Sequence, residues 1–177
     1  MLQVPITTER LVIRRFQAGD LDAYLRFMLD PASTRYLAFE PEQTTPAGAR
    51  ALFEFVIAAY DSQDPIHAYA IADATDDSYV GSCGLAAYDD DIVEGYYCVN
   101  SEFRGQGYAV EATRGLLAAV SPDLEVRAYC HPDNTAAHAV ARRSGMSPAG
   151  MGRHRHSQLE GLMFVLPPRA AREDHGV

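Results

Sequence analysis

Three runs of β pattern follow one another with almost nothing between them: HAYAIAD from residue 67, YVGSCGLAAY from 79 and IVEGYYCV from 92, parted by Asp-rich turns at 76–77 and 89–91. Connections that short cannot carry a chain back to the start of a parallel neighbour, so the three strands are expected to form an antiparallel meander. The next stretch, NSEFRGQGYAVEA (100–112), ends the meander by changing the period. From about residue 105 to 120 the spacing is helical, with Ala109, Ala112, Leu116, Ala119 and Val120 on one stripe.

The remaining segments are read in the same way. ERLVIRRF (9–16) alternates apolar and charged side chains, with Leu11 and Ile13 in phase and Phe16 one step out, as a half-buried strand does. Asp20 stands as an N-cap before LDAYLRFML, where Leu21, Tyr24, Leu25 and Met28 recur at helical spacing. A loop around Asp30 and Pro31 leads to Thr45-Pro46, which opens a second helix with Ala51, Leu52, Phe55, Val56 and Ala59 along one face. Beyond the 105–120 helix come a short strand EVRAYC, a helix from about Thr135 to Ser144 closed by Gly145, and a strand pair near 147–154 and 159–166. PPRAAREDHGV reads as a loose tail. This order predicts an α+β or mixed α/β fold with helices on both faces of the sheet. With 177 residues and 47% hydrophobic content, one domain over residues 1–168 with a tail at 169–177 is expected.

Composition excludes several functions. A net charge of −9 opposes nucleic acid as a partner and suits a cationic acceptor, with Asp61, Asp64, Asp89 to Asp91 and Glu94 in or near acidic loops. All 15 basic residues are arginine, so a bound phosphate must rely on guanidinium and backbone N–H groups, and a P-loop is excluded. Cys83, Cys98 and Cys130 are widely spaced and suggest neither a disulfide framework nor a metal site. No stretch is long and apolar enough to span a membrane, and the N-terminus lacks a leader pattern, so a cytoplasmic protein is expected.

The glycine pair between strand and helix carries the chemistry. A helix N-terminus leaves N–H groups without intrahelical partners and adds roughly half a positive charge. Gly105 and Gly107 would let an anion the size of a diphosphate approach that row, and Arg104 would supply a fixed charge. The other reading is a tight strand-to-helix turn with no ligand. A dinucleotide fingerprint is not completed, because Val110 stands where its third glycine belongs.

VEGYYCVNSEFRGQGYAVEA resembles the core of the GCN5-related N-acetyltransferases (GNATs), whose acetyl-CoA motif Arg/Gln-x-x-Gly-x-Gly/Ala is filled by Arg104, Gly107 and Ala109. CHPDNTAAHAVARRSGM (130–146) is similar to the asparagine-bearing strand-to-helix segment of the RimJ/RimL branch. The resemblance implies a GNAT-like mixed, mainly antiparallel sheet of about seven strands, one pair of which splays apart. It also implies acetyl-CoA as co-substrate, with no metal. The diphosphate would lie on Arg104, Gly105, Gln106, Gly107, Tyr108 and Ala109, and the pantetheine arm would enter beside Cys98 and Val99, with Asn134 hydrogen-bonded to it. Asn134 serves equally as an N-cap for the following helix.

By the same resemblance Glu94 is the base that takes the proton of the amine, with Asp133 and Tyr129 as alternatives. The acceptor implied is a primary amine, on a small molecule or a protein N-terminus; a homodimer is left open, and no membrane is involved. The chain departs from the branch at Ala137, where a serine that protonates the departing thiolate often stands. That departure keeps open a non-catalytic acyl-CoA-binding module with the same fold. His154 and His156 are spaced like metal ligands, but a surface strand edge accounts for them.

Overall fold

The computed structural model describes residues 2–63, 66–155 and 157–169 of the 177. In chain order its elements are β1 (Ile6–Thr7), β2 (Leu11–Arg14), α1 (Leu21–Met28), α2 (Pro31–Thr34), α3 (Pro46–Ala59), β3 (His67–Asp73), β4 (Tyr79–Asp89), β5 (Ile92–Val99), α4 (Tyr108–Ala119), β6 (Glu125–Cys130), α5 (Thr135–Arg143), β7 (Ser147–Arg153) and β8 (Glu160–Leu166). The 8 strands form one sheet in the order β1-β2-β3-β4-β5-β6-β8-β7. The meander is there as read, β3 to β5, and every neighbouring pair is antiparallel except β5 with β6. That exception follows from connectivity, because α4 carries the chain back between the two strands as a parallel pair requires. The strand absent from the sequence reading is β1, only 2 residues long and too short to show a period. The part of the tail from residue 170 onward lies outside the described residues.

Helices cover both faces, and β2 shows how. Ile13 is fully buried and faces α4, since a side chain on Gly115 would come within 3.7 Å of its Cδ1. Phe16, in the opposite phase, packs edge-on against Tyr24 of α1 at 5.7 Å and Phe53 of α3 at 5.5 Å. The alternation of β2 predicted charged residues facing water, but Arg14 is only 9% exposed. Its guanidinium forks onto Asp20 at 2.8 and 3.0 Å and reaches Asp77 at 2.6 Å. The hydrogen bond to Asp20 raises the Arg14 pKa above its ordinary value against the opposing effect of burial. Asp20 occupies the N-cap position of α1 as expected, but its carboxylate does not cap the helix; it is committed to Arg14 and to the N–H of Gln17.

The expected face of α3 holds in part: Ala59 is buried and Leu52 and Val56 pack against the core, but Ala51 is exposed and Phe55 is 59% exposed, while Ala49 and Phe53 are buried. PAGARALFEFVIAA is apolar on most sides, so spacing alone could not choose the buried stripe. Two core clusters result: one joins β2 to β4 with α1, α3 and α4, and the other joins β6 and β8 with α5. The candidate site lies at their boundary.

Candidate active site

The boundary is a fork in the sheet. β5 and β6 pair only at Ile92↔Glu125, Val93↔Val126 and Glu94↔Arg127. Beyond that point β5 stays with β4 as far as Val99↔Gly81, and β6 stays with β8 as far as Cys130↔Leu162. The N–H of Asn100 donates to Val80 at 2.9 Å, which fixes the alternation along β5. Main-chain groups of Tyr96 and Cys98 therefore face β4, and those of Tyr97 and Val99 face the fork. The N–H of Glu125 donates to Asp91, so by the same alternation Tyr129 faces the fork from the β6 side. Such groups invite an amide-bearing ligand that can pair them.

Of the two β5 residues expected at the cofactor, Val99 thus turns its main chain into the gap. Cys98 does not; its thiol lies 3.1 Å from the Ser82 hydroxyl, and burial raises its pKa. Burial likewise raises the Cys130 thiol, which lies 3.8 Å from the hydroxyl of Tyr97.

At the end of the fork the chain turns into α4. Gly105 has φ +75° and Gly107, the N-cap, φ +85°, a left-handed backbone that a Cβ disfavours. The tight turn anticipated as an alternative is therefore real, and it leaves the N–H groups at the helix start unobstructed. Among the described residues the N–H groups of Gly105, Gln106, Gly107, Tyr108 and Ala109 find no acceptor. A Cβ at Gly105 would meet nothing within 4 Å, so the approach is open.

Arg104 is exposed and donates to the Ser33 hydroxyl at 2.6 Å. A second guanidinium, missed in the sequence, stands at the same turn. Arg10 donates to the Gln106 carbonyl at 3.1 Å, stacks over Tyr108 at 4.5 Å and pairs with Glu111 at 2.7 Å. No local pattern links residues 10 and 107.

Asn134 caps α5, its Oδ1 accepting from the N–H of Ala137 at 3.1 Å. Its Nδ2 has no partner among the described residues, and the residue lines the cavity into which the fork opens. The cap and the ligand role are compatible, because they use different atoms.

Glu94 sits where the fork begins, and His154 reaches it from the end of β7. The Nε2 of His154 lies 2.7 Å from Glu94 Oε2, with the two side chains 14% and 24% exposed. The N–H of Ser157 donates to His154 Nδ1 at 3.0 Å, so the network assigns the ring proton to Nε2, which donates to Glu94. Oε1 of Glu94 keeps its lone pairs free of partners among the described residues. The rings of Tyr129 and Tyr88 pack on His154 at 5.0 and 5.8 Å, and burial raises the Tyr129 pKa. His154 is therefore a half-buried partner of Glu94 instead of an exposed strand edge; His156 lies outside the described residues. Asp133, the alternative base, points to solvent with its side chain 79% exposed.

A cavity of about 450 Å³ connects these groups, running from Asn134, Ala137 and Cys130 past Tyr97 to Glu94 and His154. No helix among the described residues is long and apolar enough to cross a membrane.

A family model described as "Acetyltransferase (GNAT) domain" matches residues 10–147. No curated protein matches the chain. Among solved structures, an acetyltransferase of the GNAT family from Bacillus anthracis is 22% identical, with a TM-score of 0.75 over 92% of this chain and 98% of its own. RimL, a ribosomal L7/L12 alpha-N-protein acetyltransferase in complex with coenzyme A, is 18% identical, with a TM-score of 0.73 over 94% of this chain and 98% of its own. A ribosomal-protein-S5-alanine acetyltransferase from Vibrio fischeri is 12% identical, with a TM-score of 0.72 over 94% of this chain and 97% of its own. At such identities the likeness is one of fold.

Proposed function

The chain belongs to the GNAT acetyltransferase family, and from that membership we propose that it is an N-acetyltransferase of RimJ/RimL-like type. Its single domain, residues 1–168, would move an acetyl group from acetyl-CoA to a primary amine by direct attack, with both substrates bound together. The observation that carries this reading is the fork, which opens at one end onto the unclaimed N–H row of α4 and at the other onto Glu94.

Acetyl-CoA supplies an activated thioester carbonyl. The protein's own work is to hold, aim and deprotonate. The N–H groups of Gly105 to Ala109 bind the diphosphate, with the Arg10 and Arg104 guanidinium groups alongside. The main chains of Tyr97, Val99 and Tyr129 pair the amides of the pantetheine arm, and Asn134 Nδ2 donates to the same arm. Cys98 flanks that arm from the sheet side.

Glu94 Oε1 takes the proton from the bound ammonium, because a protonated amine has no lone pair with which to attack. His154 fixes the other carboxylate oxygen through its Nε2–H and so aims Oε1 into the cavity. Ala137 offers no hydroxyl to the departing thiolate. A thiol with a pKa near the cysteine reference of about 8.5 leaves acceptably without one.

A non-catalytic acyl-CoA-binding module would share the grip of α4 and the fork but has no use for the Glu94–His154 pair. Calorimetric titration with acetyl-CoA, with ATP and NAD as controls, followed by amine-dependent release of CoA, tests the proposal. Micromolar binding of acetyl-CoA alone, with CoA release on adding amines, is the expected result. Binding without release from any amine would leave only the binding module, and equal binding of ATP would reduce the glycine turn to a general phosphate site.

A further inference from the structure

The cavity does not end at Glu94. It continues beneath α1 and α3, where Phe16, Tyr24, Phe27, Leu37, Leu52 and Val56 line it. Those side chains come from elements that take no part in gripping acetyl-CoA as proposed above, so this arm of the cavity belongs to the other substrate. We propose that the acceptor is a primary amine carried on an apolar body, aromatic or branched aliphatic, that seats under α1 and α3 while its nitrogen lies against Glu94. This rests on the acetyltransferase reading and narrows it.

Charge supports the assignment. Two carboxylates line the cavity, Glu94 and Glu160; Glu160 is paired with Arg153 at 3.2 Å, which leaves Glu94 to match one ammonium. Of the acidic loop residues, Asp64 lies outside the described residues and the others do not line the cavity: Asp61 pairs with Arg15 at 2.8 Å, Asp89 pairs with Arg155 at 3.5 Å, and Asp90 and Asp91 are exposed at the β4–β5 turn. A polyamine or a polyhydroxylated aminosugar would have to press further ammonium or hydroxyl groups against Phe16, Phe27, Leu37, Leu52 and Val56, side chains that offer no hydrogen-bond partner in exchange for the water lost. An apolar body loses nothing of the kind and releases the water that wets those walls.

The same chemistry could arrive as a small amine or as a peptide whose first side chain is apolar. The test measures kcat/KM for CoA release by the full chain, at fixed acetyl-CoA, with phenethylamine, isopentylamine, ethanolamine, spermidine, and peptides beginning with Phe or with Ser. Phenethylamine and isopentylamine should exceed ethanolamine and spermidine by at least about tenfold. Phenethylamine above the Phe peptide assigns a small amine, and the reverse order assigns a peptide N-terminus; either supports the proposal.

Spermidine or ethanolamine equal to the apolar amines would overturn it while leaving acetyl transfer intact. A preference for hexanoyl-CoA over acetyl-CoA with indifference to the amine would overturn it as well, by giving the pocket to the acyl chain. Failure of every amine to release CoA would remove the transferase reading itself and this proposal with it. Leu52→Asn gives a second line of evidence: KM for phenethylamine should rise about tenfold with acetyl-CoA affinity unchanged, and an unchanged KM in the folded variant would count against the pocket. The wild-type panel decides the matter however that variant folds.

Discussion

Replacing Gly107 by alanine separates the cost of a turn from the cost of a lost ligand, because Gly145 provides a matched control. Both glycines are left-handed, with φ +85° and +94°. A Cβ on Gly145 would meet nothing within 4 Å, and one on Gly107 would meet only Arg10 Nη2 at 3.5 Å, an ordinary contact. Packing therefore adds nothing to either substitution, and each should cost the backbone penalty alone, about 1 kcal/mol. In a chain of 177 residues that lowers the melting temperature by roughly 2–4 °C. Affinity should separate the pair. A Cβ on Gly107 would stand over the N–H row at the start of α4 and hold a diphosphate away from it. Losing even one charge-assisted hydrogen bond costs about 1.5–3 kcal/mol, so acetyl-CoA affinity should fall at least about tenfold. Gly145→Ala should leave affinity untouched. Thermal melts and calorimetric titrations of both variants are the measurement. If Gly107→Ala behaves like Gly145→Ala in both, the glycine pair is a turn and nothing more, and the diphosphate assignment fails.

Glu94→Gln should lower turnover about 100-fold while acetyl-CoA affinity stays within about twofold, since the amide keeps the shape and loses the basic oxygen; wild-type turnover would clear Glu94 of its role. His154→Ala should lower kcat with little change in KM for acetyl-CoA, and the double variant should be no worse than Glu94→Gln alone; additive losses would mean that the two residues act separately. For Glu111, burial pushes the carboxyl pKa up, but the Thr8 hydroxyl, the N–H of Arg10 and its guanidinium outweigh that and leave it below its ordinary value. A depressed carboxyl stabilises the fold above the unfolded pKa of about 4.3 and loses that contribution as pH falls through the folded pKa. Glu111→Gln should thus cost about 1–2 kcal/mol at neutral pH, discounted for the exposed Arg10, and converge with wild type on acidification, read by urea unfolding at several pH values. A constant gap would refute the linkage. Hydrogen exchange should find the amides of Tyr97 and Val99 faster than those of Tyr96 and Cys98 in the free protein, and slowed by acetyl-CoA; equal protection along β5 would mean that the fork is closed in solution.

What the sequence made legible was local. The meander, the left-handed glycines and the Asn134 cap are each written within about a dozen residues, the range over which period and turn chemistry act. The contacts that finish the site are not local. His154 meets Glu94 across 60 residues, and Arg10 meets Glu111 across 101. Nothing in HRH announces a carboxylate partner, and nothing in TERL announces the glycine turn that Arg10 touches. The same limit explains Arg14: its alternation is that of a strand with one wet face, and only the fold brings Asp20 and, across 63 residues, Asp77 onto its buried guanidinium. Asp20, bidentate on Arg14 and accepting from the N–H of Gln17, is the compensation for that burial.

An unpaired edge inside a sheet persists only if neither half can collapse onto it. Here each half closes on its own core. The larger cluster holds β2 to β4 with α1, α3 and α4, and the smaller holds β6 and β8 with α5. Leu85 and Tyr97 pack against both, so the halves share a seam without merging. Along the far side Arg114 of α4 donates to the carbonyl of Arg143, the last residue of α5, at 2.6 and 3.0 Å. Closing the fork would require β6 to leave β8, or β5 to leave β4, and either move would break a ladder already formed. The unmet hydrogen bonds of Tyr97, Val99 and Tyr129 are then cheaper than any rearrangement that would meet them. A ligand with amides along its length meets them without moving the protein, so little of its binding free energy is spent on reorganisation. The fork proposed to take acetyl-CoA is thus a consequence of two cores too well packed to merge.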